Sequence, residues 1–186
     1  EANENTFTRL KINLINILSC CYAKRNLLDL NEQLIQAGLI DSGTSYWEKE
    51  DVNHFIDNQT FVFLRYRLKK MKARLFNKSV DRKKYISNHE TNLQHQIARI
   101  YRMRNELIHE AAIKQDIENV TSNLRYYLVF LLNQLLAFFS NINHEGDKQT
   151  SIDDFFYYFA FNKQLIEKEH KLDVILDIPV EMDLLK

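Results

Sequence analysis

Apolar residues recur every three or four positions along most of the chain, the spacing that gathers them on one face of an α-helix. From 6 to 37, Phe7, Leu10, Leu14, Ile17 and Leu18, then Leu27, Leu28, Leu30, Leu34 and Ile35, predict two helices or one bent helix. A break is expected between Lys24 and Leu28, and a stop at Gly38. The polar run 41–51 reads as a loop. Helix is expected to resume near Asp51 and reach about Asn77, its inward stripe marked by Phe55, Phe61, Leu64, Leu68, Met71 and Leu75. Ser87 and Glu90 have capping-box spacing, which predicts a helix start there and an end at about Glu110. Ile117, Val120, Leu124, Leu128, Leu131 and Leu135 predict a helix over 116–140. After a loop over 141–150, Ser151 and Asp154 predict the cap of a last helix carrying the aromatic run FFYYFAF. From Leu172 the apolar period changes to two (Val174, Leu176, Ile178, Val180), the pattern of an extended arm or short strand.

Breakers are scarce. Gly38, Gly43, Gly146 and Pro179 all lie outside the long periodic stretches, so the fold expected is all-α: an up-and-down bundle of about five helices. It is read as one domain over 1–170, with residues 171–186 as an extended carboxy-terminal arm. The most apolar run, 128–139, is too short for a membrane span of about 20 residues and contains Asn133 and Gln134, so it reads as a core helix and no membrane partner is expected. The adjacent Cys20 and Cys21 cannot build a disulfide framework and suit a reduced, cytoplasmic protein. No amino-terminal signal pattern is present and the chain begins with Glu1, so it is read as a possible piece of a longer protein.

Formal net charge is zero, yet its distribution is uneven. Residues 65–110 carry thirteen Lys and Arg against four Asp and Glu, a net +9, whereas 145–186 carry five against ten, a net −5. Within 65–84 there are ten basic residues and one acid. Arg65, Arg67, Lys69, Lys70, Lys72 and Arg74 on this stretch form either a solvated helix face or a track for RNA, with Tyr66 or Phe76 available for stacking. Arg99 and Arg102 extend the positive field toward 101–110.

That later stretch, YRMRNELIHE, is the most unusual. At about 100° per residue, Arg104 falls in the middle of the stripe formed by Leu93, Ile97, Ile100, Leu107 and Ile108. A guanidinium in such a place needs a carboxylate partner (Glu106 or Glu110), a route to the edge of the stripe, or a cleft. Thr91, His95, Ala98, Arg102, Asn105 and His109 make a second, polar seam. It is either a solvated face or one wall of a site in which Asn105, one turn before His109, orients the imidazole. Arg104 and His109 lie about 140° apart and about 7.5 Å along an ideal axis, so a shared site needs a further surface. The histidines at 54, 89, 95, 109, 144 and 170 show no metal-ligand spacing, and no glycine loop or nucleophile motif occurs. Neither metal nor cofactor is expected.

RNELIH resembles the signature of the HEPN superfamily: arginine, a polar residue, three more residues, then histidine. The flanks IARIYRMRNELIHEA and NLRYYLVFLLNQLL are most similar to its Apea-like branch, over about 55 residues. The resemblance implies a HEPN-like bundle forming a homodimer through the motif helix, with two motifs meeting in one cleft. It implies a metal-independent endoribonuclease that cuts RNA by 2′-hydroxyl attack, with Arg104, Asn105 and His109 as the catalytic residues. An antiviral-defence or toxin effector, working with further domains or subunits of a defence system, is the setting it suggests. The alternative is a non-catalytic HEPN-like RNA-binding or dimerisation module. His109 is followed at the second position by Ala111 rather than the tyrosine modified in some HEPN toxins, which argues against that form of regulation.

Overall fold

The computed structural model describes residues 2–75, 79–110, 116–142, 150–168 and 173–180. Phe76, Lys78, Ala111, His144, His170, most of the 141–150 loop and the arm beyond 180 lie outside the described residues. Among those described, seven α-helices and one 3₁₀ turn follow in order, with no strand. They are α1 (Ala2–Gln36), the 3₁₀ turn (Tyr46–Glu48), α2 (Val52–Asp57), α3 (Val62–Leu75), α4 (Ser79–Glu110), α5 (Ile117–Ile142), α6 (Ile152–Lys168) and α7 (Asp173–Leu176).

α1 runs without the expected break. Cys20, Cys21, Ala23, Leu27, Leu30 and Leu34 keep one continuous buried face through the polar residues. Lys24, which looked like an interruption, donates to the Leu176 carbonyl and, at 2.6 Å, to that of Ile178. The supposed extended arm therefore begins with a helical turn, α7, whose Ile175, like Ile178 after it, is buried; the lysine satisfies the carbonyls where that turn ends. The stop at Gly38 is as expected: φ is +68°, Gly38 N–H donates to Ile35 and Leu39 N–H to Leu34, both at 2.9 Å, the Schellman pattern.

The helix expected from Asp51 to Asn77 is two. Asp51 caps α2, accepting from His54 N–H at 2.9 Å. Asn58 then ends it, and buried Gln59 donates its side-chain amide to the Phe55 carbonyl at 2.8 Å. Such side-chain bonds offer the backbone an alternative to helix continuation. The new direction turns Phe61 out of its predicted inward place, leaving it 58 % exposed, while Leu68, Met71 and Leu75 stay buried.

α4 starts eight residues before the predicted cap. Tyr85 and Ile86 are buried, so the stretch ahead of Ser87 has its own core face, and Ser87 sits mid-helix accepting from the Thr91 hydroxyl. Arg82 is wholly buried and donates Nε and Nη2 to the Leu75 carbonyl at 3.2 and 2.7 Å, clamping the end of α3 to the start of α4. The Ser151–Asp154 box forms as read. Asp154 accepts from Ser151 N–H at 2.8 Å, and those bonds hold its carboxyl below the usual range.

α5 is rotated from its expected orientation. Val120, Tyr127, Phe130, Asn133, Gln134 and Ala137 face inward, whereas Leu124, Leu128, Leu132 and Leu136 are 37–48 % exposed. Aromatic anchoring explains the rotation: the Arg25 guanidinium lies 5.1 Å from the Tyr126 ring and 5.4 Å from that of Phe130, and the Tyr127 hydroxyl bonds Gln96. α6 packs between α1 and α4, with Phe155 and Phe159 buried and Lys163 paired with Glu90. No described helix is long and apolar enough to cross a membrane.

Arg82→Ala is expected to cost about 2–4 kcal/mol, because it strands a buried carbonyl and leaves a void. A lowered midpoint in urea unfolding with an unchanged slope is the signature; an unaltered midpoint contradicts the clamp. His89 stacks on Tyr22 with ring centroids 3.5 Å apart, and burial, then the Arg25 charge, push its imidazole down to about 4. The unfolded chain binds that proton below its ordinary value of about 6.5. Stability present above that pH therefore declines as pH falls toward 4. His89→Phe is expected to flatten this decline in unfolding titrations across the interval, and an equally steep decline refutes the assignment.

Candidate functional site

The polar seam of α4 becomes one wall of a groove. Ala98, Arg102, Asn105 and His109, joined by Tyr101 and Glu106, face Phe7 and Lys11 of α1 across a cavity of about 540 Å³. α1 and α4 run antiparallel, as Phe7 against Tyr101 at one end and Tyr22 against Tyr85 and His89 at the other require. The beginning of α1 is thereby placed beside the end of α4. Thr91 and His95, earlier on the seam, are exposed and do not line the groove.

Arg104 is not buried in the apolar stripe. Around it Ile100 and Leu107 are half-buried and Met103 is buried, but Arg104 and Ile108 are exposed. The covered face has swung toward Met103 and Leu107 by the end of the helix. Arg104 does not line the groove, and its Nη1 donates to Asn105 Oδ1 at 2.9 Å. Asn105 is half-buried and His109 exposed. A guanidinium outside the groove, an amide on its rim and an imidazole within it are thus linked through one hydrogen bond and one helical turn.

The basic residues separate into two regions. Arg102 lines the groove, while Arg99 is engaged by Asp116. The α3 residues sit far away, against the start of α4, where the Arg74 guanidinium lies 5.0 Å from the Tyr85 ring. From Tyr85 to His109 is about 36 Å along α4 at 1.5 Å per residue. Several of these cations are already committed. Arg67 bonds Gln33 and pairs with Asp29 at 3.3 Å, and Lys69 pairs with Asp57 at 2.6 Å, holding that carboxyl below its usual range. Arg65 and Lys72 are half-buried; Lys70 lies 5.1 Å from the exposed Tyr66 ring. Arg82, inside the same basic stretch, is a core residue.

Phe7, Lys11, Tyr101 and Glu106 carry no signal in the sequence that assigns them to a groove. Phe7 reads as one more core position; only the antiparallel packing brings it and Lys11 to the motif. Cys20 and Cys21 are both buried, and burial pushes the Cys21 thiol up to about 12. They are packing residues far from this groove. No cluster of three or more metal-ligating side chains occurs among the described residues.

If α3 is an RNA track, Lys70→Ala and Arg74→Ala are expected to lower the salt concentration at which poly(U) is released more than Arg67→Ala or Lys69→Ala do. A cation already neutralised by a carboxylate displaces fewer counterions. Equal effects from all four contradict that division. Compared with protein-family models, curated proteins and solved structures, the chain matches none.

Proposed function

We propose that the chain is a metal-independent endoribonuclease of HEPN type, acting as a homodimer in the cytoplasm and serving as the effector of an antiviral-defence or toxin system. The observation that supports this most is the shared groove of Arg102, Asn105 and His109, with Arg104 hydrogen-bonded to Asn105 on its rim.

RNA cleavage by internal attack needs a base to take the 2′-hydroxyl proton, positive charge on the phosphorane, and an acid to protonate the departing 5′-oxygen. The O2′–P bond forms as the P–O5′ bond breaks, leaving a 2′,3′-cyclic phosphate and a 5′-hydroxyl. An imidazole can take a proton at one ring nitrogen and give one back, so His109 is the proton carrier of the set. In the proposed dimer one His109 takes the proton and its mate returns one. Arg104, exposed beyond its own groove, is free to reach the phosphate held by the second copy, where its planar fork matches two oxygens. The exposed leucines of α5 offer apolar surface for that association.

The outward placement of Arg104 also favours a second reading, a non-catalytic module that binds RNA or dimerises through the same helix. Purified protein in EDTA separates the two. Cleavage of RNA but not matched DNA is expected, with His109→Ala lowering the rate at least about 100-fold. Cutting of DNA, or undiminished cutting by the variant, rules out the endoribonuclease. If RNA stays intact while Arg104→Ala weakens self-association in sedimentation, the second reading takes its place.

A further inference from the structure

The groove has a wall that the motif does not supply. Phe7 and Lys11, one turn apart on α1, stand opposite Arg102, Asn105 and His109. The Phe7 ring packs on Tyr101 at 4.4 Å between centroids with planes 31° apart, yet Tyr101 remains 43 % exposed. It is a braced aromatic with surface to spare. Lys11 is half-buried, and among the described residues no ion pair or hydrogen bond engages it. The fixed charges lining the groove are then Lys11 and Arg102 against Glu106, a net +1 apart from His109.

One phosphodiester carries one negative charge, and an aromatic ring beside it offers a stacking surface that any base can use. A volume of about 540 Å³ lies in the range of small-ligand clefts, the scale of a nucleotide or two. We propose that α1 completes the site: Lys11 holds a backbone phosphate of single-stranded RNA, and Tyr101, braced by Phe7, stacks the adjoining base. Arg104 is then a positioning residue within its own chain, acting through Asn105. The inference rests on RNA being the ligand, but not on its being cut.

The test uses the full chain carrying His109→Ala, so that RNA survives the measurement, with fluorescence anisotropy of a labelled single-stranded oligoribonucleotide across a salt series. Adding Lys11→Ala is expected to weaken binding about tenfold and to reduce the slope of log K against log salt by about 0.7, one single-strand phosphate contact. Adding Tyr101→Ala is expected to weaken binding about tenfold with the slope unchanged, and Tyr101→Phe to restore it. Lys11→Arg keeps the charge and is expected to keep the slope; Lys11→Gln repeats the test with the stem retained should the alanine variant unfold. Unchanged affinity and slope in the lysine variants, or duplex RNA bound as tightly as single strands, overturns the proposal. Failure of the catalytic reading looks different. If wild type leaves RNA intact while the Lys11 effects persist, the nuclease falls and this site stands. If RNA is cut in a His109-dependent way and Lys11→Ala leaves KM unchanged, the nuclease stands and this site falls.

Discussion

The covering of α4 is the constraint on which the rest of the structure depends. Its covered face runs from Arg82 to Leu107, about 37 Å of helix, and four other helices share in covering it. The work is divided. α3 covers the start, α1 lies antiparallel along the length, α6 presses on the middle and α5 returns beside it. Lys163 and Glu90 set the middle: with side chains only 17 % and 19 % exposed, neither charge can lose the other without a large desolvation cost. Sliding α6 by one turn separates them, so the pair specifies register as well as contact. Toward the end of the helix the cover thins: Arg104 and Ile108 reach solvent on one side, and the groove lies against α1 on the side of Arg102, Asn105 and His109.

The features readable from the sequence are those closed by local hydrogen bonds. Gly38 ends α1 because its own positive φ permits the Schellman bonds, and Ser151 with Asp154 starts α6 through bonds spanning three residues. The features that were not readable depend on distant segments. Lys24 looks like a break until the carbonyls of Leu176 and Ile178, some 150 residues later, arrive to accept its protons. Ser87 and Glu90 match a capping box in spacing, but Glu90 is drawn to Lys163 and the helix has already begun. The period-two tail misleads because four residues are enough for one helical turn when Ile175 can be buried.

The candidate site divides in the same way. A helical wheel places Arg102, Asn105 and His109 on one seam, since that depends on α4 alone, and the groove keeps them together. The wheel also places Arg104 in the stripe, but a wheel has no knowledge of where neighbouring helices stop. The charge count of 65–84 suffers a related error. It treats Arg82 as surface, and Arg67 and Lys69 as available, although one is core and two have carboxylate partners on other helices.

α5 links the packing problem to the proposed assembly. Its inward face is built from tyrosine, phenylalanine and two amides, and its leucines are turned outward at one-turn spacing, Leu124, Leu128, Leu132 and Leu136. Helices that meet through rows of this kind cross at about 50°. Two such helices touch closely only around their crossing point, here Leu128 and Leu132, and diverge to either side. Such a crossing buries too little to hold a dimer by itself, since stable interfaces cover about 800 Å² per partner. In the proposed dimer the seam continues onto a neighbour of α5, and α4 is tied to it through Gln96 and Tyr127, and through Arg99 and Asp116, the residue just before α5. A dimer built on the leucine row therefore draws in the motif helix, with the exposed Arg104 and Ile108 at its edge.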